Sequence, residues 1–273
     1  MERQAIGVFD SGLGGLSAVK QLIRLAPEED IVYFGDTARV PYGNRSSQTI
    51  TRYAKQAIAF LISKKVKMLI NACGTMSAVL PESFTDSLPV AYFDVITPTA
   101  VAAVSASTKG NIGIIATTAT INSSAFQKAI NRINPDFRTV SKACPLFVPL
   151  VENGYIASNN PVTRLVAEEY LAQLRESEID ALILGCTHYP LISELISDVI
   201  GREVTLIDSG YEAAAAAMVA IKDTNETPGE LVFFTSDNPP GFSDIAGMFL
   251  GRKIDNITQI DIESVDPYRQ EGL

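Results

Sequence analysis

Short apolar runs alternating with amphipathic stretches constrain this 273-residue chain more than any other feature of its sequence. AIGVFD (5–10), DIVYFGD (30–36) and VKMLINAC (66–73) have strand length and little polar content. Between them, Leu16, Val19, Leu22 and Ile23 take helical spacing. So do Ile50, Tyr53, Ala54, Ala57, Ile58, Leu61 and Ile62, with Ser46 or Ser47 placed to cap them. This grammar predicts a mostly parallel α/β sheet.

The second half repeats it. NIGIIAT (111–117) mirrors AIGVFDS, and a polar turn leads to a helix near Ser124. RTVSKACPLFVPLVENG reads as strand and loop. Val162, Val166, Tyr170 and Leu174 then fall at four-residue intervals on a helix. DALILGC (180–186) is a strand that stops at a cysteine, as VKMLINAC does. The pattern predicts two similar α/β domains related by pseudo-two-fold symmetry. Residues 1–97 with 210–273 form the first and 98–209 the second, with crossings near Thr97–Pro98 and Ile207–Gly210. LVFFTSD (231–237) adds a late strand, and the polar end after about Gly251 reads as a loosely held tail. In open parallel sheets ligands bind at the carboxyl ends of strands. Two facing domains therefore aim both terminal cysteines at one cleft.

Composition narrows the partners. The net charge of −9 repels phosphate backbones and anionic lipid, so nucleic acid and membrane are not expected partners, and a small-molecule substrate is. EAAAAAMVAI is too short to span a bilayer, and MERQAIGVFDSG lacks a secretory leader pattern. Cys73, Cys144 and Cys186 are scattered and odd in number, which points to a reducing compartment, the cytoplasm.

The chemistry gathers at the strand ends. Cys186 and His188, the sole histidine, follow one apolar run, and Cys73 with Thr75 follows the other. An isolated cysteine is often a buried core thiol. At a strand end before a helix N-terminus, N–H groups instead lower a thiol's pKa. Two matching contexts argue for a joint role. Cys144, before a proline and an apolar run, reads as structural, and Glu152 reads either as a solvated loop residue or as an acid aimed at the cleft. Zinc is not expected, because structural zinc ligands come in closely spaced pairs. Cys186-x-His188 alone comes near, and alternate strand residues face opposite ways. DSGLGGLS offers G-x-G at Gly12 and Gly14, with Asp36 as a ribose-binding acid. The dinucleotide fingerprint fails at Ser17, and Asp10 would repel a pyrophosphate.

One thiol with a histidine suits a hydrolase. Two thiols across a cleft suit inversion of a stereocentre, one removing a proton and the other returning one to the opposite face. IGVFDSGLGGLS, IVYFGDTARVPYGNRS, NACGTMSA, PLFVPLVENG, LGCTHYPL and IDSG resemble the glutamate racemases of the aspartate/glutamate racemase superfamily. That resemblance implies two flavodoxin-like domains, no cofactor, no metal, a homodimer, and a role in supplying D-glutamate for peptidoglycan. It implies that Cys73 takes the α-proton of D-glutamate and Cys186 that of L-glutamate, assisted by Asp10, Glu152 and His188. Asp10, Ser11, Tyr42, Gly43, Gly74, Thr75, Thr187 and His188 match its substrate-binding positions. The family commonly reads Ala-Cys-Asn-Thr where this chain has Ala72-Cys73-Gly74-Thr75, so Gly74 is expected to bind through its backbone alone. Another amino-acid racemase, acting for instance on aspartate, and a cysteine hydrolase stand as alternatives.

Overall fold

The structure, a computed structural model, describes residues 4–43, 45–221, 227–237, 242–254 and 256–266. The first run of elements is β1 (Ile6–Asp10), α1 (Leu16–Leu25), β2 (Ile31–Gly35), α2 (Ser47–Ser63), β3 (Met68–Asn71), α3 (Gly74–Ser77), α4 (Glu82–Thr85), β4 (Ala91–Asp94) and α5 (Ile96–Ala106). A second run follows: β5 (Asn111–Ala116), α6 (Thr118–Ser123), α7 (Ala125–Ile133), β6 (Arg138–Ala143), α8 (Phe147–Glu152) and α9 (Pro161–Glu176). It continues with β7 (Ala181–Leu184), α10 (Ser193–Ile200), β8 (Thr205–Asp208) and α11 (Ser209–Val219). Last come β9 (Leu231–Thr235), α12 (Phe242–Leu250) and β10 (Ile257–Gln259).

Two parallel sheets result. One has six strands in the order β10-β9-β2-β1-β3-β4, the other four in the order β6-β5-β7-β8. The segment β2-β1-β3-β4 and the whole of β6-β5-β7-β8 are the same arrangement, so the internal repeat is real at the level of topology. Every residue of β1, β3 and β7 is buried, because helices cover both faces. That explains why these strands read as unbroken apolar runs rather than as alternating ones. β4 and β8 lie on sheet edges and are only partly buried, so neither stands out in the sequence.

The local signals are physical too. Ser46 caps α2, its Oγ accepting from the Thr49 N–H at 3.3 Å, while Ile50, Ala54, Ala57, Ile58 and Leu61 bury one face. Asp94 and Asp208 close β4 and β8 identically. Each carboxylate accepts from two N–H groups of the next helix, Ile96 and Thr97 or Gly210 and Tyr211. α11 packs against both α1 and α5 and joins the two halves along their backs. Among the described residues no helix is long and apolar enough to cross a membrane.

Two expectations fail here. The stretch after Gly251 is not loosely held: β10 pairs with β9, and Gln56 Nε2 donates to the carbonyls of Ile262 (3.3 Å) and Val265 (3.2 Å). Ile262 is buried with Phe9, Phe34 and Phe60, and Ile254 is buried too, so a few apolar residues anchor a segment whose outer letters are polar. Residues 267–273 of that tail lie outside the described residues. The polar turn before Ser124 is itself helix α6, capped by Thr117.

Candidate active site

A cavity of about 390 Å³ opens where the carboxyl ends of the two sheets face each other. That volume suits a small ligand. Cys73 lies two residues beyond β3 and Cys186 two beyond β7, at equivalent points of the repeat, and both thiols line it. Asp10, Ser11, Tyr42, Gly43, Gly74, Thr75, Glu152, Thr187 and His188 line it as well, so every residue named from the sequence converges there. Wider recesses of about 500 and 630 Å³ elsewhere hold neither thiol. Cys144 is fully buried off the cavity, its Sγ 3.7 Å from the Lys142 carbonyl.

On the first wall, Cys73 Sγ lies 3.4 Å from Ser11 Oγ, and the Cys73 N–H donates to Asn71 Oδ1 at 3.1 Å. Burial and then the charge of Asp10 push the Cys73 thiol up to about 12, against the pull of Ser11 and nearby N–H groups. This reverses the expected lowering at a helix start. α3 is a single turn, and its N–H groups do not offset the loss of water around the sulfur. Burial also raises the Asp10 carboxyl, opposed by the charge of His188 and by the N–H groups of Gly12, Gly15 and Ser11. The Gly12 N–H donates to Asp10 Oδ2 at 2.9 Å, and Oδ1 is buried without a hydrogen bond.

The second wall is built differently. Cys186 Sγ lies 3.9 Å from His188 Nδ1, and His188 Nε2–H donates to Glu152 Oε1 at 2.9 Å. Glu152 ends α8 and is the acid aimed at the cleft, not a solvated loop residue. Burial pulls the His188 pKa down, but the hydrogen bonds and charges of Cys186 and Glu152 outweigh it and raise it to about 10. The imidazole is therefore a cation at neutral pH. β7 ends at Leu184, so strand alternation does not apply at Cys186 and His188, and both side chains reach the same cavity.

The rim beside Tyr42 and Gly43 is held from behind. The buried Tyr42 hydroxyl donates to Asp36 Oδ2, and Arg39 Nε and Nη2 reach the same oxygen at 2.7 and 2.6 Å. Ser236 Oγ donates to Asp36 Oδ1 at 2.7 Å, while Arg39 Nη1 continues to Gln56 Oε1 (2.6 Å) and Glu263 Oε1 (3.1 Å). Asp36 is thus the buried anchor of a cleft loop, which accounts for it without a ribose. The glycine run is accounted for as well. A Cβ on Gly14 would lie 2.1 Å from Thr187 Oγ1 and 2.6 Å from His188 Nδ1, so the bare backbone lets the two walls meet.

Polar contact between the walls also runs through three hydroxyls. Thr75 Oγ1 and Thr117 Oγ1 are 3.0 Å apart, Thr117 and Thr120 are 3.0 Å apart, and Thr75 and Thr120 are 3.4 Å apart. Thr117 and Thr118 line the cavity. Sequence reasoning missed all three of Thr117, Thr118 and Thr120. Their signal was present in the repeat: Thr117 follows β5 as Ser11 follows β1.

A family profile described as Asp/Glu/Hydantoin racemase matches residues 6–217. The chain belongs to that racemase family. Curated relatives agree: the glutamate racemase of Geobacter metallireducens is 44% identical over 270 residues, covering 97% of this chain and 99% of that one. The solved glutamate racemase of Francisella tularensis, in complex with D-glutamate, superposes with a TM-score of 0.90 at 38% identity, over 97% of this chain and 100% of that one. Glutamate racemase RacE1 from Bacillus anthracis gives 0.90 at 33% identity, over 96% and 98%. The racemase family thus carries the same two-sheet α/β fold, and the cavity described above is the cleft between those sheets.

Proposed function

We propose that this protein is a glutamate racemase that interconverts L- and D-glutamate by two-base proton transfer between Cys73 and Cys186. The single observation carrying this reading is one thiol from each half of the repeat on the lining of one cavity. As thiolate, one cysteine takes the proton from Cα and becomes a thiol, leaving a carbanion. The other, a thiol, gives its proton to the opposite face and becomes a thiolate. Each turnover inverts Cα and exchanges the roles of the two sulfurs. Cys73 works on D-glutamate and Cys186 on L-glutamate, with Asp10 assisting the first and His188 with Glu152 the second.

The carbanion's charge falls among fixed donors. Ser11, Tyr42, Gly43, Gly74, Thr75 and Thr187 line the cavity. In this reading the hydroxyls of Ser11, Thr75 and Thr187 and the N–H groups of Gly43 and Gly74 orient the substrate's two carboxylates, the Tyr42 hydroxyl being held by Asp36. The His188 cation faces the same space, which favours an anionic substrate inside an acidic protein. The lobes of this reading are residues 1–97 with 210–273 and residues 98–209, supported by which sheet each strand joins. The same reading has the enzyme work in the cytoplasm as a homodimer, supplying D-glutamate for peptidoglycan. Cys186, His188 and Glu152 also form the relay a thiol hydrolase uses, but a hydrolase leaves Cys73 without a task.

Incubation with L-glutamate in D₂O tests the reading. Optical activity is expected to vanish while deuterium enters Cα. Folded protein that does neither contradicts it.

A further inference from the structure

The loop that forms one rim of the cavity is fastened to a segment far along the chain. Val40, Pro41, Tyr42 and Gly43 line the cavity. A Cβ on Gly43 would lie 3.6 Å from Thr117 Cβ, so this rim stands against the wall that carries Thr117. Residues 40–43 belong to no helix or strand. Side chains behind the loop therefore have to hold it.

That hold runs from the rim inward. Burial and the charge of Asp36 push the Tyr42 hydroxyl up, so it keeps its proton and donates it to Asp36 Oδ2 rather than into the cavity. Arg39 Nε donates to the same oxygen at 2.7 Å, and Ser236 Oγ, just beyond β9, donates to the other at 2.7 Å. The Arg39 guanidinium lies 3.8 Å over the Tyr53 ring, and Tyr53 packs against Tyr42 with ring centres 5.4 Å apart. Arg39 Nη1 spans Gln56 Oε1 on α2 and Glu263 Oε1, at 2.6 and 3.1 Å. Gln56 in turn donates to the carbonyls of Ile262 and Val265. Segment 262–265 thus reaches the rim through two buried side chains, Gln56 and Arg39.

We infer that Arg39 is a positioning residue that carries the hold of segment 262–265, through Asp36 and Tyr42, to the Gly43 rim and so sets substrate affinity. Its effect on binding rests on the glutamate racemase reading above, in which Gly43 offers its N–H to the substrate. None of Asp36, Arg39 and Glu263 lines the cavity, so the proton-transfer groups keep their places when the hold is loosened. Lysine is no substitute at 39, because acceptors in three directions need the planar fork of a guanidinium.

Glu263→Gln spares the fold, since that side chain is 61% exposed and meets the network through Arg39. Arg39→Lys cuts deeper. Kinetics with each enantiomer should show KM raised about 3-fold in Glu263→Gln and about 10-fold in Arg39→Lys, with kcat within about twofold of wild type. Hydrogen exchange should quicken at the amides of residues 40–43 in both variants and stay unchanged along β1 in Glu263→Gln. Wild-type KM with wild-type rim exchange in both variants overturns the inference, and so does a kcat that falls while KM holds. If the wild type itself fails to exchange the α-proton of glutamate, the functional reading falls, and rim exchange alone decides whether Arg39 holds the loop.

Discussion

The two strand ends of the repeat share topology and differ in electrostatics. Beyond β3, Cys73 sits beside a carboxyl and a hydroxyl, and its thiol is pushed up to about 12. Beyond β7, Cys186 sits beside an imidazolium held by a carboxylate. Duplication therefore supplies two thiols at equivalent places, and the neighbours make them unequal. On the proposed two-thiol reading, the raised Cys73 thiol is the proton donor when L-glutamate is the substrate. On the same reading, attack on D-glutamate needs the Cys73 thiol to give up its proton first.

The strongest way to break this comparison is to remove either sulfur. Cys73→Ala or Cys186→Ala should each lower racemisation about 10³-fold or more, since each deletes an entire acid–base partner. Cys144→Ala, off the cavity, should stay within about twofold of wild type in the same coupled assay. A comparable loss at Cys144 would mean that the off-cavity sulfur has a task the geometry does not give it.

A smaller effect sharpens the asymmetry. His188→Asn should lower kcat/KM by about 10- to 10²-fold, equally for both enantiomers as an equilibrium constant of 1 demands, with the larger loss in α-proton washout from L-glutamate, because His188 faces Cys186. The same variant has a stability signature. His188 holds its proton to about pH 10 in the fold, against about 6.5 in an unfolded chain. Its contribution is complete below about pH 6.5 and is lost as pH rises through about 10. Cys73 acts in the same direction at higher pH, its raised thiol favouring the fold until the pH climbs towards about 12. Melting temperature should fall from pH 6.5 to 10 in the wild type and fall less in His188→Asn. Equal slopes would remove the imidazolium from the account.

How much of this was legible in the sequence depends on distance along the chain. Fully buried strands such as β1, β3 and β7 read directly, because burial on both faces leaves an apolar run. The thiols read because the repeat places them at matching strand ends. Thr117, Thr118 and Thr120 did not, since a polar run that caps a helix looks like a turn until the fold brings Thr75 against it. The Asp36 anchor was equally hidden. It joins residues 36, 39 and 42 to Ser236 and, through Arg39, to Glu263, and no local period records such a link. The same link explains the misread tail: its polar letters cover two buried isoleucines, Ile254 and Ile262, and an ion pair with Arg39.

Enantiomer-specific exchange in D₂O with the single-thiol variants is the most direct measurement. Cys73→Ala should still wash the α-proton out of L-glutamate without inverting it, and Cys186→Ala should do so only for D-glutamate. Exchange of both enantiomers by one variant would put both proton transfers on a single sulfur and contradict the opposed-thiol account.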